Sequence, residues 1–521
     1  MTAAELLVRD LRERGVPWMA TLCGHGLDPL FQAARNAGMR LVDTRNEQTA
    51  SYIAESSGRL TRRPGVCAVS SGVAQVNALT GVANAWFDRA PMLLISGSAA
   101  MTTAGMGHFQ DLDQVTLARS ITKFSRSIDC AARVREILAE ALGIATADPP
   151  GPVHLLFPMD IQNTEVSASA LVSPAALPPR RAAREADVDE VAHALAASVK
   201  PLVIAGSGIF YDTEGGGILR FCEGWRVPVV TPIWDRGSVD QPTPVFLGVI
   251  GAATGSPPYL SEADCIVMAG AEVDYRLGYL RPPAVQSDAR ILSFRGNWDE
   301  LAASCRRQAV TAPEAWLASC VRRRDEFRQN IEQRAKETTG DSLHAVHVIR
   351  AIQDVLAEDP VLLIDGGNIG QWAHQLLCAD RYPSHWLTCG RSGVVGWGIG
   401  GAIAARLAYP QRPVILLAGD GAFTFNIADL ESAARQNLPF VAIVADDQGW
   451  GITRSGHVRQ FGAPIASSLG PIAFDRLADS LGCRGVRAQT PAELTHALRH
   501  AMTSPEVTVI HAPINGGGPT A

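Results

Sequence analysis

Residues 415–453 read ILLAGDGAFTFNIADLESAARQNLPFVAIVADDQGWGIT and decide how the C-terminal part of the chain folds. The apolar run 415–418 is typical of a buried parallel strand, and it ends at the Gly-Asp-Gly segment 419–421, where two glycines allow a sharp turn beside a ligand. Apolar residues at helical spacing follow, and a second apolar run, 440–445, ends at Asp-Asp-Gln-Gly. A right-handed crossover places both strands in one sheet, so we expect Asp420 and Asp447 to lie at the same edge.

Two carboxylates at one sheet edge suit a hard cation. Mg²⁺ binds one or two carboxylates and fills its other positions with phosphate and water. The segment therefore predicts a magnesium site formed by Asp420, Asp447 and the backbone of Gly449, with a diphosphate bound to the metal. Acidic turns after strands are common, and the chemistry alone leaves solvated turn aspartates as an equal alternative.

Composition limits the classes of function. The chain has 521 residues, of which 47% are hydrophobic and 19% charged, so we expect a globular protein of two to four domains. A net charge of −6 without a basic cluster argues against nucleic acid and anionic membranes as partners and favours small ligands. No apolar run is long enough to span a bilayer and the N-terminus is not typical of a signal peptide, so we expect a cytoplasmic protein.

The ten cysteines include no Cys-x-x-Cys pair. This spacing supports neither a zinc site nor a disulfide framework. We expect buried, reduced thiols.

Strand and helix patterns alternate along the whole chain. We predict an α/β protein with three consecutive parallel-sheet domains, at residues 1–165, 188–312 and 341–521. A Ser-, Ala- and Pro-containing stretch from 161 to 187 is predicted to be a linker. A charged helical connector is predicted at about 313–340.

A family resemblance adds to these expectations. Gly-Asp-Gly at 419–421, then 24 residues (422–445), then a pair of polar residues resembles the thiamine diphosphate binding motif. The family ends this motif with two asparagines, and the chain departs from it with Asp446 and Asp447.

The N-terminal part supports the same resemblance. Arg-Asn-Glu at 45–47, a helix rich in small residues, Ser-Gly at 71–72, Ala-Asn-Ala at 83–85 and Pro-Met-Leu at 91–93 track the pyrimidine-binding domain of these enzymes. Residues 107–114 and 121–123 are similar to segments of acetohydroxyacid synthases and of benzaldehyde lyase. The resemblance implies that the three domains bind the pyrimidine, form a mostly structural centre and bind the diphosphate, in that order.

The resemblance also implies residue roles. Glu47 corresponds to the catalytic glutamate, and Gln110 to a residue that lines the active site. His25 is a third catalytic candidate, although benzaldehyde lyase has its histidine one place later, where this chain has Gly26, and a single histidine is as often structural. Val395 corresponds to the apolar residue that wedges beneath the cofactor, and it is smaller than the usual Met, Leu or Ile. The cofactor-binding candidates are Gly72, Asn77, Gly367, Asn368, Gly393, Val395, Gly419, Gly421 and Ala422.

The family implies thiamine diphosphate and Mg²⁺ as cofactors and a homodimer or homotetramer. We expect a carbon–carbon lyase or ligase that acts on 2-keto acids or aldehydes to give acyloins or acetohydroxyacids. FAD is not expected, because Arg295 stands where many relatives have an acidic residue and the Gly206-x-Gly208 pattern lacks a later glycine. Segment 270–276 nevertheless resembles the FAD-bearing synthases. The tail after His511 is shorter than the C-terminal lid of many relatives, and we expect weaker exclusion of water.

Three alternatives stay open. One is a simple 2-keto acid decarboxylase. Another is an acyl-CoA lyase or decarboxylase of the oxalyl-CoA or 2-hydroxyacyl-CoA type. The third, from a different class, is a catalytically silent cofactor-binding protein, which the Asp446-Asp447 pair and Val395 would suggest.

Overall fold

The computed structural model describes residues 1–166, 187–211, 217–235, 239, 242–251, 254–338, 343–377, 386–515 and 518. Most of the predicted linker, residues 167–186, lies outside the described residues. Its predicted first residues belong to the N-terminal domain instead, because a helix spans Met159–Asn163 and Glu165 forms a bridge with Thr2.

The N-terminal sheet is fully parallel. Its strands are β1 Trp18–Leu22, β2 Arg40–Asp43, β3 Gly65–Val69, β4 Met92–Ser98, β5 Phe124–Ser127 and β6 Pro152–Pro158, in the spatial order β2-β1-β3-β4-β6-β5. The helices are α1 Ala3–Glu13, α2 Asp28–Asn36, α3 Glu47–Thr61, α4 Val73–Phe87, α5 Gln114–Arg119, α6 Val134–Thr146 and α7 Met159–Asn163. Every residue of β3 is buried, as expected for a parallel strand covered on both faces.

The central domain has a smaller parallel sheet. Its strands are β7 Pro201–Ala205, β8 Val229–Pro232, β9 Phe246–Ile250, β10 Cys265–Ala269 and β11 Arg290–Ser293, in the order β11-β10-β7-β8-β9. The helices are α8 Val188–Ala197, α9 Gly208–Tyr211, α10 Gly217–Gly224, α11 Tyr259–Glu262 and α12 Trp298–Arg307. The predicted helical connector is α13, Glu314–Thr338.

The C-terminal sheet contains the two strands of the stretch 415–453. Its strands are β12 Val361–Asp365, β13 Trp386–Thr388, β14 Val414–Gly419, β15 Val441–Asp446, β16 Arg484–Arg487 and β17 Thr508–Pro513, in the order β13-β12-β14-β15-β17-β16. The helices are α14 Ala345–Gln353, α15 Asn368–Leu376, α16 Gly398–Ala408, α17 Asp420–Phe423, α18 Asp429–Arg435, α19 Gly451–Phe461, α20 Phe474–Ser480 and α21 Pro491–Met502. The prediction of three parallel-sheet α/β domains is confirmed, while their exact boundaries stay predictions.

The N- and C-terminal domains share one core within the chain. Helices α3 and α16 pack against each other, and apolar residues of both contribute to one buried cluster. Close packing is possible because α16 begins with the small residues Gly-Ile-Gly-Gly-Ala. A Cβ atom at Gly400 would lie 2.8 Å from Cβ of Tyr52 and 3.2 Å from the carbonyl oxygen of Thr49.

The cysteine prediction is only partly correct. Nine described cysteines are free thiols. Cys67, Cys222, Cys265, Cys305 and Cys320 are buried as expected. Cys23 and Cys130, in contrast, are exposed, because they lie in segments just after β1 and β5.

Among the helices in the described part of the chain, none has the length and hydropathy needed to cross a membrane.

We expect Gly400→Ala to lower the free energy of unfolding by about 1–3 kcal/mol, because the added methyl group overpacks the contact between α16 and α3. The measurement is chemical denaturation followed by circular dichroism. Gly456→Ala, on α19, is the matched control: among the described residues, its Cβ meets no heavy atom within 4 Å beyond its chain neighbours and the nearby backbone of its own helix, and alanine favours a helix. Equal stability of the two variants would contradict the tight packing of α3 on α16.

Candidate active site

The two predicted acidic residues lie at one edge of the C-terminal sheet. Strands β14 and β15 pair in parallel with Gly419 opposite Ala445, so Asp420 and Asp447 follow neighbouring strand ends. The backbone amide of Gly449 donates to Oδ2 of Asp420 at 3.1 Å. This hydrogen bond joins the segment after β15 directly to the start of α17.

The prediction that two glycines are needed for a sharp turn at the Gly-Asp-Gly segment is wrong. Strand β14 runs to Gly419, and the short helix α17 begins at Asp420, so neither glycine is needed for a left-handed backbone. A Cβ atom at Gly421 would lie 2.7 Å from the ring of Trp450, which explains the glycine by close packing. Ala422, also predicted to contact the cofactor, is buried in the same helix.

Electrostatic repulsion makes this edge suitable for a cation. Burial, together with the charges of Asp447 and Asp446, raises the pKa of Asp420 to about 6, although hydrogen bonds from the amides of Gly421 and Gly449 lower it. Burial also raises the pKa of Asp447, while the hydrogen bond from Asn368 and the charge of Arg454 lower it. A bound divalent cation would relieve the repulsion between the carboxylates. The donor set therefore fits Mg²⁺.

No group of three or more His, Cys, Asp or Glu side chains in the described ranges is arranged to hold a metal ion. The protein would thus supply two carboxylates and a backbone carbonyl. This small set agrees with the preference of Mg²⁺ for ligand phosphate and water in its other positions.

The turn between β12 and α15 approaches the same edge. Gly367 precedes the first residue of α15, Asn368, whose Nδ2 donates to Oδ2 of Asp447 at 3.1 Å. A Cβ atom at Gly367 would lie 2.7 Å from the side chain of Ile452. The structure thus brings Gly367 and Asn368 beside the predicted metal site, and their role with the diphosphate stays a prediction.

The glycine-rich loop that contains Val395 is clamped from two sides. Asp365, at the end of β12, accepts hydrogen bonds from the amides of Gly396 at 3.1 Å and Gly398 at 2.8 Å. Asn426 donates to the carbonyl oxygen of Gly396 at 2.9 Å. These bonds fix the backbone on the C-terminal side of Val395, whose own side chain is half-buried.

Gly393, in the same loop, has a φ of +67°, and no described residue other than its chain neighbours lies within 4 Å of the position a Cβ would take. The backbone there is exposed. Its carbonyl is therefore on a part of the loop that a ligand can approach.

The catalytic candidate Glu47 begins α3. Asn46 caps this helix, and Nδ2 of Asn77, on α4, donates to Oε2 of Glu47 at 3.1 Å. Two residues predicted from the resemblance, Glu47 and Asn77, are thus in direct contact. Asn77 is exposed and Glu47 half-buried, so the pair faces outward from this chain.

Gln110 lies over the start of α4. Oγ of Ser71 donates to Oε1 of Gln110 at 2.8 Å. Gly72 has a φ of +55°, and a Cβ there would lie 2.6 Å from the carbonyl oxygen of Gln110, so both the backbone conformation and the close approach require glycine. Gln110 itself has a φ of +57°, which is unusual for a non-glycine residue.

His25 belongs to the same group. Its carbonyl oxygen accepts from Oγ of Ser70 at 2.6 Å, and its exposed ring makes an edge contact with Phe109 at 5.8 Å between centroids. The structure therefore places His25, Ser71 and Gln110 together at the carboxyl ends of β1 and β3. Whether His25 takes part in catalysis stays a prediction.

The site also contains residues that the sequence analysis did not single out. Asp365 lies at the end of an apolar run, a place that the sequence can identify. No local pattern indicates that it accepts hydrogen bonds from the amides of Gly396 and Gly398. The others are brought in by contacts that the sequence pattern does not indicate: Asn426, Trp450, Arg454 and His511.

Arg295, which motivated the prediction that FAD is absent, pairs with Asp148 of the N-terminal domain at 3.2 Å. The pair lines a cavity of about 170 Å³ between the central and N-terminal domains. The prediction about FAD stays a prediction.

Comparison with known families assigns each domain. Residues 1–117 match the thiamine pyrophosphate enzyme N-terminal TPP binding domain, residues 188–311 match the central domain and residues 365–512 match the C-terminal TPP binding domain. The matched segments contain the three parallel sheets in whole or in part.

Curated relatives align along nearly the whole chain. A probable acetolactate synthase of Mycobacterium bovis is 28% identical over 526 residues, which cover 97% of this chain and 94% of the relative. The 2-hydroxyacyl-CoA lyase 2 of Homo sapiens is 27% identical, covering 91% and 83%. The 2-hydroxyacyl-CoA lyase 1 of Mus musculus is 26% identical, covering 96% and 92%.

Asp365 predicts a measurable pH dependence. Burial raises its pKa, hydrogen bonds from the amides of Gly398 and Gly396 lower it, and the resulting pKa is about 7. Because the folded state holds this proton more tightly than the unfolded state, Asp365 makes the protein less stable as pH rises from about 4 to 7. We expect Asp365→Asn to remove a pH-dependent loss on the order of a few kcal/mol over this window. The measurement is the slope of unfolding free energy against pH in the two proteins, and equal slopes would contradict it.

Proposed function

The chain belongs to the thiamine diphosphate-dependent enzymes, and from this premise we propose that it forms or cleaves a carbon–carbon bond beside a carbonyl group of a 2-keto acid or aldehyde. The products of the forward reaction would be acyloins or acetohydroxyacids. Its lyase or carboligase type agrees with relatives named as acetolactate synthase and as 2-hydroxyacyl-CoA lyase.

One observation carries the proposal. The carboxylates of Asp420 and Asp447 lie at one sheet edge, where both side chains are largely buried and close enough for the charge of Asp447 to raise the pKa of Asp420. Solvated turn aspartates would not show this combination. A bound cation would relieve the repulsion in such a pair, and a metal-bound diphosphate would supply the rest of the coordination.

The described residues divide the work of holding the cofactor. Asp420, Asp447 and the carbonyl of Gly449 would hold Mg²⁺, and the backbone at Gly367 and Asn368 would face the diphosphate. Gly393 would offer its carbonyl to the pyrimidine, and Val395 would support the ring system from a loop that Asp365 and Asn426 keep in place. When bound, thiamine diphosphate supplies the nucleophilic carbon that attacks the substrate carbonyl.

Glu47 would control a proton on the pyrimidine. Its Oε2 is already held by Asn77, which leaves Oε1 to form a hydrogen bond with the ring nitrogen opposite the amino group. A carboxyl group in this place, once shielded from water, is the group that holds and returns a proton there. Gln110 and His25, which lie together nearby, would orient the substrate carbonyl.

We further propose a homodimer as the smallest active unit. The family resemblance implies that the pyrimidine and diphosphate halves of the site come from different subunits. The outward face of α4 fits such an interface, because Val73, Val76 and Phe87 are 56%, 44% and 49% exposed and flank Asn77. An active monomer in sedimentation velocity would contradict this proposal.

The acyl-CoA alternative has specific support. Several curated relatives are named 2-hydroxyacyl-CoA lyase, at 25–28% identity. The substrate of this chain could therefore carry a CoA group. The identities do not separate this alternative from the synthase-like one, since the acetolactate synthases match at 28%.

A product screen distinguishes the alternatives. The protein, with added thiamine diphosphate and Mg²⁺, is incubated with pyruvate, benzoylformate, aliphatic and aromatic aldehydes, and 2-hydroxyacyl-CoA, and products are identified by mass spectrometry. We expect acyloins or acetohydroxyacids from the first three groups. If 2-hydroxyacyl-CoA is cleaved and no other substrate reacts, the result would favour the acyl-CoA lyase. If a 2-keto acid releases an aldehyde that is not joined to a second carbonyl compound, the result would favour a decarboxylase. Tight cofactor binding without turnover of any substrate would favour the silent protein.

We expect Glu47→Gln to bind the cofactor and keep the fold but to slow proton exchange at C2 of thiamine diphosphate by about 10²–10⁴-fold, the usual contribution of a positioned acid or base. Exchange is started by dilution into deuterium oxide and stopped with acid, and the remaining C2 proton is measured by NMR. Glu136→Gln is the matched control, since Glu136 also lies in the first turn of a helix, α6, but on the exposed surface. Equal exchange rates in all three proteins would remove Glu47 from the mechanism.

A further inference from the structure

The two acidic residues that replace the family's asparagines point in different directions. Oδ2 of Asp446 lies 3.0 Å from Nε2 of His511, and its Oδ1 accepts from the amide of Gln448 at 3.1 Å. The other ring nitrogen of His511 lies 3.1 Å from Oδ1 of Asp475. Both oxygens of Asp446 are therefore used to hold the turn, and of the two acidic residues only Asp447 remains available to the site.

Asp447 also has a basic neighbour, which differs from that of Asp446. Nη2 of Arg454, on α19, lies 3.5 Å from Oδ2 of Asp447. The same guanidinium donates to the carbonyl oxygen of Asp447 at 3.1 Å and to that of Gln448 at 3.2 Å. The side chain of Asp447 is 6% exposed and that of Arg454 is 26% exposed, so water screens this pair only partly.

Charge explains why such a partner is needed. An asparagine ligand is neutral, whereas Asp447 adds a negative charge beside Asp420 and beside the position of an anionic diphosphate. Uncompensated, that charge attracts Mg²⁺ more strongly but repels the diphosphate. A guanidinium within 4 Å of the Asp447 carboxylate offsets the negative charge that this one residue adds.

We propose that Arg454 is the charge partner of Asp447 and that the pair sets the balance between metal and diphosphate affinity in this chain. The inference rests on the proposed function, because it requires that the site hold Mg²⁺ and thiamine diphosphate. It assigns a role to a residue outside the binding motif. The positive charge of Arg454 would compensate for the negative charge that Asp447 adds where the family has an asparagine.

The proposal predicts opposite effects on the two ligands. Arg454→Gln leaves the carboxylate unbalanced, so we expect Mg²⁺ alone to bind about tenfold more tightly and thiamine diphosphate, at saturating Mg²⁺, about tenfold more weakly. Asp447→Asn keeps an oxygen ligand and leaves the arginine unbalanced, so Mg²⁺ should bind more weakly and thiamine diphosphate as well or better. The double variant has the wild-type net charge, and both affinities should return to within about threefold of wild type.

Isothermal titration calorimetry on the intact protein tests these expectations with Mg²⁺ alone and with thiamine diphosphate at fixed Mg²⁺. The proteins are wild type, Arg454→Gln, Arg454→Lys, Asp447→Asn and the double variant, each checked for folding by circular dichroism. Arg454→Lys keeps the charge but not the fork of hydrogen bonds to the two carbonyls, so it should bind both ligands nearly as wild type does.

A purely structural role gives a different pattern. If Arg454 only braces the turn, Arg454→Gln and Arg454→Lys weaken both ligands, and the double variant is as weak as Arg454→Gln; that result would overturn the proposal. Should Arg454→Gln fail to fold, Asp447→Asn and Arg454→Lys still decide, because weaker thiamine diphosphate binding by either one contradicts charge compensation. Failure of wild type to bind thiamine diphosphate with Mg²⁺ would instead refute the proposed function.

Discussion

The parallel pairing of β14 with β15 is the constraint on which the rest of the site depends. Its register sets Gly419 opposite Ala445, so both strands end at the same level of the sheet. The carboxylates that follow, Asp420 and Asp447, are therefore held close together in spite of their repulsion, and the amide of Gly449 is brought to Asp420. A shift of register by one residue would turn the following side chains to the other face and dismantle the site.

Buried carboxylates serve as supports around this edge. Asp365 is 1% exposed and accepts two backbone amides from the loop that contains Val395. Asp446 is held by His511 and by the amide of Gln448. Removing a carboxylate from water is costly, and the hydrogen bonds to backbone groups offset that cost. Such bonds also fix the position of irregular loops, which have no sheet or helix to order them.

In the N-terminal half of the site, a carboxylate near the surface also fixes a loop by accepting hydrogen bonds from backbone amides. Gln110 adopts a left-handed backbone, which costs a non-glycine residue about 1 kcal/mol or more. The neighbouring Asp111 accepts from the amides of Gly105 and Gly107, so one side chain ties the loop together. The backbone of Arg45, next to the cap of α3, is held by Asp429 of the C-terminal domain at 2.7 Å. The position of Glu47 is thus coupled to the domain that carries the metal ligands.

The sequence by itself determined the three parallel-sheet domains, the two strands that flank the spacer 422–445 and the placement of Asp420, Asp447 and Glu47 at strand or helix ends. These features follow from the period of apolar residues and from chain connectivity, which are local properties. Glu47 and Gln110 could be named only because a family resemblance supplied their roles, since nothing in their local pattern distinguishes them from other polar residues.

Only the tertiary structure showed which groups hold the two carboxylates of the Asp446-Asp447 pair. Asp446 is held by His511, which is 65 residues farther along the chain, and Asp447 is paired with Arg454 on the next helix. The glycine at 421 is likewise explained by the ring of Trp450 and not by a turn. His511 meets Asp446 only when β17 has paired with β15, and Arg454 reaches Asp447 only when α19 has packed against the turn, so no local pattern in the sequence could reveal these contacts.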